Sequence, residues 1–202
     1  MSRARRAVSG LWRRAAPLAL FVAALWAIHA VDQLAQLDLA ARFGLIPRTL
    51  EGLDGVLAMP LLHGGWDHLA ANTPPLAILG GLVLLLAPER FWGATAICIL
   101  LGGALTWLIA RPSVHIGASG LIFGWFGVLV GLALWRRSLK AILGAAAALA
   151  LYGATIFSGL TPEPGVSIEG HAAGLAAGLF AAWRFGRSPS GADARPNRRR
   201  RI

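Results

Sequence analysis

Six stretches of this chain are each long and apolar enough to cross a lipid bilayer, and nothing else in the sequence limits the fold as strongly. A span needs about 20 apolar helical residues; such windows fall at 17–37, 66–87, 91–110, 118–135, 139–158 and 170–184. In hydrocarbon, backbone N–H and C=O groups have no water to bond, so spans of this length are helical. The expected fold is an all-α membrane protein built as a bundle of six transmembrane helices. Residues 1–16 read as a basic N-terminal tail and 17–186 as the membrane domain. Residues 187–202 read as a disordered basic C-terminal tail, because they are polar and carry no apolar periodicity.

Composition agrees: 56% of the residues are hydrophobic and 14% charged, a balance that argues against a soluble domain. The net charge of +10 does not point to nucleic acid, because the basic residues gather in RARRAVSGLWRR and RPNRRRR rather than among aromatic residues on one surface. It points to topology. Placing both tails and the turns at 87–90 and 135–140 in the cytoplasm leaves only Arg42, Arg48 and Arg111 of the 19 Lys and Arg on the far side. The first window reads as a retained helix, since no convincing small-x-small cleavage site precedes VDQL. High arginine and alanine content and the lack of a visible organelle-targeting signal suggest a bacterial plasma membrane, with both termini cytoplasmic. With Cys98 the one cysteine, an internal disulfide and a thiolate metal cluster are excluded.

Under this topology the second, fourth and sixth windows all start at the outer face. His63, His68 and Asn72 then sit near the outer end of span two, Ser119 at that of span four and His171 at that of span six. Polar side chains are costly in a membrane and usually face the bundle interior at a site or pathway. Glycines indicate how these helices meet. Gly120, Gly124, Gly127 and Gly131 form a stripe on span four, and Gly174 and Gly178 a G-x-x-x-G on span six, so backbones can approach closely. On ideal helices His171 faces its glycines, whereas Ser119 lies about 110° from the centre of its stripe.

A serine hydroxyl is a weak nucleophile that needs a base within hydrogen-bond reach. His171 is the natural base. Glu169, two residues away, would point elsewhere on a helix, so a Ser–His dyad is expected rather than a triad. His68 and Asn72, four residues apart on one helix face, could donate with the Ser119 N–H to a developing oxyanion, and His63 could contribute from the adjoining loop. Each residue has a plainer reading: Ser119 as an N-cap, His68 and Asn72 as interfacial polar groups, His171 as a buried bonded histidine. His29 reads as structural and His115 as a solvated loop residue.

At these positions the sequence resembles the rhomboid family of intramembrane serine proteases. The likeness is carried by PLLHGGWDHLAAN at 60–72, ERFWG at 89–93, GASG at 117–120 and HAAGLAAG at 171–178, and extends from about Leu45 to Trp183. It implies a six-helix bundle with Ser119 as nucleophile, His171 as general base and acid, and His68 and Asn72 at the oxyanion, in a water-filled recess opening outward. Gly117 falls in the serine motif, and the resemblance places the Phe123 ring beside His171. The family's chemistry requires no cofactor, ATP or metal. The implied partners are transmembrane protein substrates and the lipid bilayer. One departure is plain: the family's tryptophan-arginine motif is missing from the first connection, the only such pair before span two being Trp12–Arg13.

Two rivals to an endopeptidase follow. A non-proteolytic rhomboid-like protein would bind membrane helices without needing both Ser119 and His171. A small transporter would show inverted repeats and midplane charges, which the sequence lacks.

Overall fold

A computed structural model of the protein describes residues 3–186, with side chains from residue 15 onward. The C-terminal tail expected at 187–202 lies outside the described residues. Eight helices follow in order: α1 (Arg3–Ala35), α2 (Leu39–Phe43), α3 (Gly55–Ala58), α4 (Trp66–Leu86), α5 (Phe91–Ile109), α6 (Ser119–Arg136), α7 (Leu139–Ser158) and α8 (Ile168–Gly186). Among the described residues there is no strand, only an isolated antiparallel bridge between Leu45 and His115. The basic stretch expected as a tail is helical from Arg3 and continuous with the first span.

Among the described residues five helices, in α1, α4, α5, α6 and α7, are long and apolar enough to cross a membrane. The sixth expected span is present as the 19-residue α8 but falls outside that group. Its content explains this: Glu169, His171 and Arg184 join a run of glycines and alanines, small residues suited to meeting other helices rather than lipid. The most extensive helix–helix interface is that of α6 with α8, followed by α5 with α8. In α6, 67% of the most apolar window is buried, against 22–39% in the other four spans, so α6 runs through the centre.

Close approach of α6 and α8 depends on their glycines. A β-carbon on Gly174 would collide with the Gly120 carbonyl oxygen, and one on Gly178 with that of Gly124. On its other side Gly124 meets Cys98 of α5, which is buried as a small hydrophobe. Around this seam lie Leu69, Leu76, Leu79 and Val83 of α4, Phe91 of α5, and Trp125, Leu129 and Leu132 of α6. The Trp125 indole donates to Thr95 Oγ1 at 3.0 Å, which satisfies its N–H inside the apolar core.

The first connection is built rather than loose. Left-handed Gln36 and Asp38 turn the chain after α1, and the Asp32 carboxylate accepts the Leu39 N–H at 3.0 Å. Further on, Arg48 Nη1 donates to carbonyls at the end of α5, Leu108 O at 3.1 Å and that of the capping residue Ala110 at 2.8 Å. The Trp107 indole of α5 returns a bond to Thr49 O at 2.9 Å. The connection is thereby fastened to the same end of the bundle at which α4, α6 and α8 begin.

Candidate active site

Ser119 is the first residue of α6, and the cap position belongs to Ala118, so the hydroxyl is not spent on capping. The segment before it is held by backbone bonds: Leu45 and His115 exchange both N–H···O contacts at 3.0 and 2.8 Å, and Gly117 N–H donates to Met59 O at 2.9 Å. Gly117 has φ +111°, and a β-carbon there would lie 2.8 Å from Cε1 and Nε2 of His68. Both its torsion and its neighbour therefore call for glycine.

His171 lies in the first turns of α8, and its Nε2 is 2.8 Å from Ser119 Oγ. Its Nδ1 is 2.7 Å from the carbonyl oxygen of Gly159, at the end of α7. A carbonyl can only accept, so Nδ1 carries the proton and Nε2 presents a lone pair to the serine O–H. This is the tautomer a general base requires. The Phe123 ring, one turn past the serine, stacks on the imidazole at 4.2 Å between centroids and 7° between planes. Ring, carbonyl and serine hold the imidazole from three directions.

Ser119 sat away from the glycine face on an ideal helix, yet the contact forms. Gly120 and Gly174 bring the two backbones together one residue further along, and at that spacing a first-turn hydroxyl reaches across.

A cavity of about 980 Å³ opens over the pair and is lined by His68, Asn72, Ser119, Phe123 and His171 among others. His68 Nδ1 accepts the Gly64 N–H at 3.5 Å, which leaves the proton on Nε2, the nitrogen facing Gly117. Asn72 is 6% exposed, and its Nδ2 has no hydrogen-bond partner among the described residues. As the first residue of α6, Ser119 also offers a backbone N–H with no intrahelical acceptor. His68, Asn72 and Ser119 all line the cavity, at a helix N-terminus that favours negative charge.

A scan against family models matches the rhomboid domain over residues 52–188, most of the chain. The protein belongs to the rhomboid family. Relatives include an uncharacterised Mycobacterium tuberculosis protein, 43% identical over 81% of this chain and 71% of that protein. A chloroplast rhomboid-like protein of Arabidopsis thaliana is 32% identical over 63% of this chain and 51% of its own length. A Bacillus subtilis protein named as a candidate rhomboid protease is 37% identical over 39% of this chain and 41% of itself.

Other residues of this rhomboid domain lie outside the Ser119–His171 pair. His63 does not line the cavity: it is 2% exposed and sits edge-on to His68 at 5.1 Å. Burial, with His68 and His29 nearby, lowers its pKa to about 4 and keeps it neutral. His29 is likewise buried, with its ring edge-on to Trp66 at 4.6 Å. Glu169 turns to Arg111, accepting its N–H at 3.4 Å and pairing with its guanidinium at 3.9 Å, away from the imidazole.

His115 corrects the reading of it as a solvated loop residue. It is 3% exposed, with Nδ1 2.6 Å from Ser167 Oγ and Nε2 3.0 Å from Arg111 O. The bridge to Leu45 folds it under the first connection, a long-range pairing with no local signal. The Gly159 carbonyl was also unreadable beforehand, since its role belongs to the backbone.

Proposed function

We propose that this rhomboid is an intramembrane serine endopeptidase that cuts transmembrane segments of other proteins near the outer face of the membrane. The observation that carries the reading is the 2.8 Å contact of Ser119 Oγ with an imidazole nitrogen left unprotonated by the Gly159 carbonyl. Ser119 Oγ attacks the scissile carbonyl carbon while His171 Nε2 takes the hydroxyl proton. The resulting oxyanion accepts from the Ser119 N–H, His68 Nε2–H and Asn72 Nδ2–H, in a site where low dielectric strengthens each bond. His171 then returns the proton to the leaving amine as the C–N bond breaks. Water, deprotonated by the same nitrogen, releases the acyl group and restores the serine.

The cavity mouth sits where α4, α6 and α8 begin, and the basic tails support an orientation with that end outside and both termini in the cytoplasm of a bacterial cell. A peptide bond within a helix is shielded, so substrates carry small or helix-weakening residues that let the strand unwind.

Purified protein in lipid vesicles, offered a reporter transmembrane segment rich in glycine and alanine, should cleave it. Folded Ser119→Ala and His171→Ala should not. Undiminished cleavage by folded Ser119→Ala rejects the nucleophile. Wild type that neither cleaves nor reacts with a fluorophosphonate favours the helix-binding alternative.

A further inference from the structure

The segment that delivers Ser119 and the helix that delivers His171 are tied together outside the dyad, and the knot is His115. Its bonds fix its tautomer. Arg111 O can only accept, so Nε2 carries the proton, and Nδ1 accepts the Ser167 hydroxyl proton at 2.6 Å. Ser167 Oγ in turn accepts the Gly170 N–H at 3.2 Å, capping the first turn of α8 one residue before His171. The backbone of His115 meanwhile pairs with Leu45 on both sides. One buried residue therefore links the first connection through its backbone, and the loop carrying the nucleophile and the N-terminus of the base helix through its side chain. Both ring nitrogens of His115 are bonded, and the Ser167 hydroxyl both donates and accepts. Arg111 runs parallel to it, reaching Glu169 and the Val166 carbonyl from the same loop.

We propose that His115, acting through Ser167, is a positioning residue that sets the separation and aim of Ser119 and His171. The glycine seam holds α6 and α8 together along their length. It does not by itself fix the rotation of α8's first turn, where His171 lines the cavity and its ring is held by the Gly159 carbonyl, Phe123 and Ser119. Fixing Ser167 against His115 supplies that restraint from the far side of the turn. This rests on the proteolytic reading only for its kinetic consequence; the restraint on His171 holds whatever the protein acts on.

The test follows the His171 imidazole and the reaction separately. Histidine-labelled protein in detergent micelles gives the Nδ1–H resonance bonded to Gly159, assigned by its loss in His171→Ala, and its exchange with water. His115→Ala and Ser167→Ala should each speed that exchange. Cleavage of the reporter should lose about 10- to 100-fold in kcat, the scale expected for a slight misplacement, with KM nearly unchanged. Ser167→Thr, which keeps the hydroxyl, should restore both, and the double variant should be little worse than either single one. Should His115→Ala fail to fold, Ser167→Ala carries the test of the His115–Ser167–Gly170 chain as a unit, because it removes both of the hydroxyl's bonds without touching the Leu45 pairing. An unchanged His171 resonance and kcat in folded Ser167→Ala overturn the proposal. A changed resonance in a protein whose wild type cuts nothing upholds the restraint while rejecting the protease.

Discussion

Gly159 provides for His171 what an acidic side chain provides in a three-membered site: a fixed acceptor for Nδ1–H. It also leaves no space beside it, since a β-carbon would lie 2.7 Å from Phe123 Cζ and 3.0 Å from His171 Nδ1. Gly159→Ala should therefore displace ring and imidazole together and lower kcat without unfolding the protein, as steady-state cleavage and melting would show. Asn72→Ala removes one unpartnered donor from the cavity wall and should cost about 10²–10³ in kcat, with KM little changed. His63 predicts a pH effect of definite sign. Its pKa falls from 6.5 to about 4 on folding, so below 6.5 the unfolded chain takes up a proton that the folded one refuses. Stability should fall as pH drops from 6.5 towards 4, and His63→Gln should make that slope shallower in melting curves. The residues named in advance were legible where a side chain stood beside a glycine motif at a helix start, as Ser119 and His171 do. Gly159 and His115 were not, because one acts through its backbone and the other through a partner 52 residues away.

Among the elements, α6 and α8 decide whether the site can assemble. Gly174 and Gly178 press on the carbonyls of Gly120 and Gly124, so even one methyl must push the helices apart. Gly174→Ala should destabilise by about 1–3 kcal/mol and reduce cleavage, the usual consequence of overpacking. Gly81→Ala is the control. Nothing lies within 4 Å of a β-carbon there, so the melting temperature should hold or rise slightly with the gain in helix propensity. The long apolar helices could be read from hydropathy because each window reports its own environment. In α8 composition alone pulls two ways: its small and charged residues lower its hydropathy, while the same glycines and alanines suit it to the centre of the bundle.

Across the whole molecule, the loops at one end form a single bonded collar. The first connection holds α5 through Arg48 and holds the nucleophile's segment through Leu45 and Met59, and that segment holds α8 through His115 and Arg111. None of this was legible, because loop contacts are set by which ends the packed helices bring together rather than by local pattern. Two parts of the collar, around His115 and around Ser167, line the cavity, so on the proteolytic reading the orientation of the molecule decides which face of the membrane a substrate is cut from. Reporters fused at either terminus should both read as cytoplasmic. The claim at the centre is that His171 activates Ser119. Its most direct test is to treat the protein in lipid vesicles with a fluorophosphonate and map the adduct by mass spectrometry. The account predicts a single modified serine, Ser119, whose labelling nearly vanishes in folded His171→Ala. Labelling at another serine, or undiminished labelling of Ser119 without the imidazole, would contradict it.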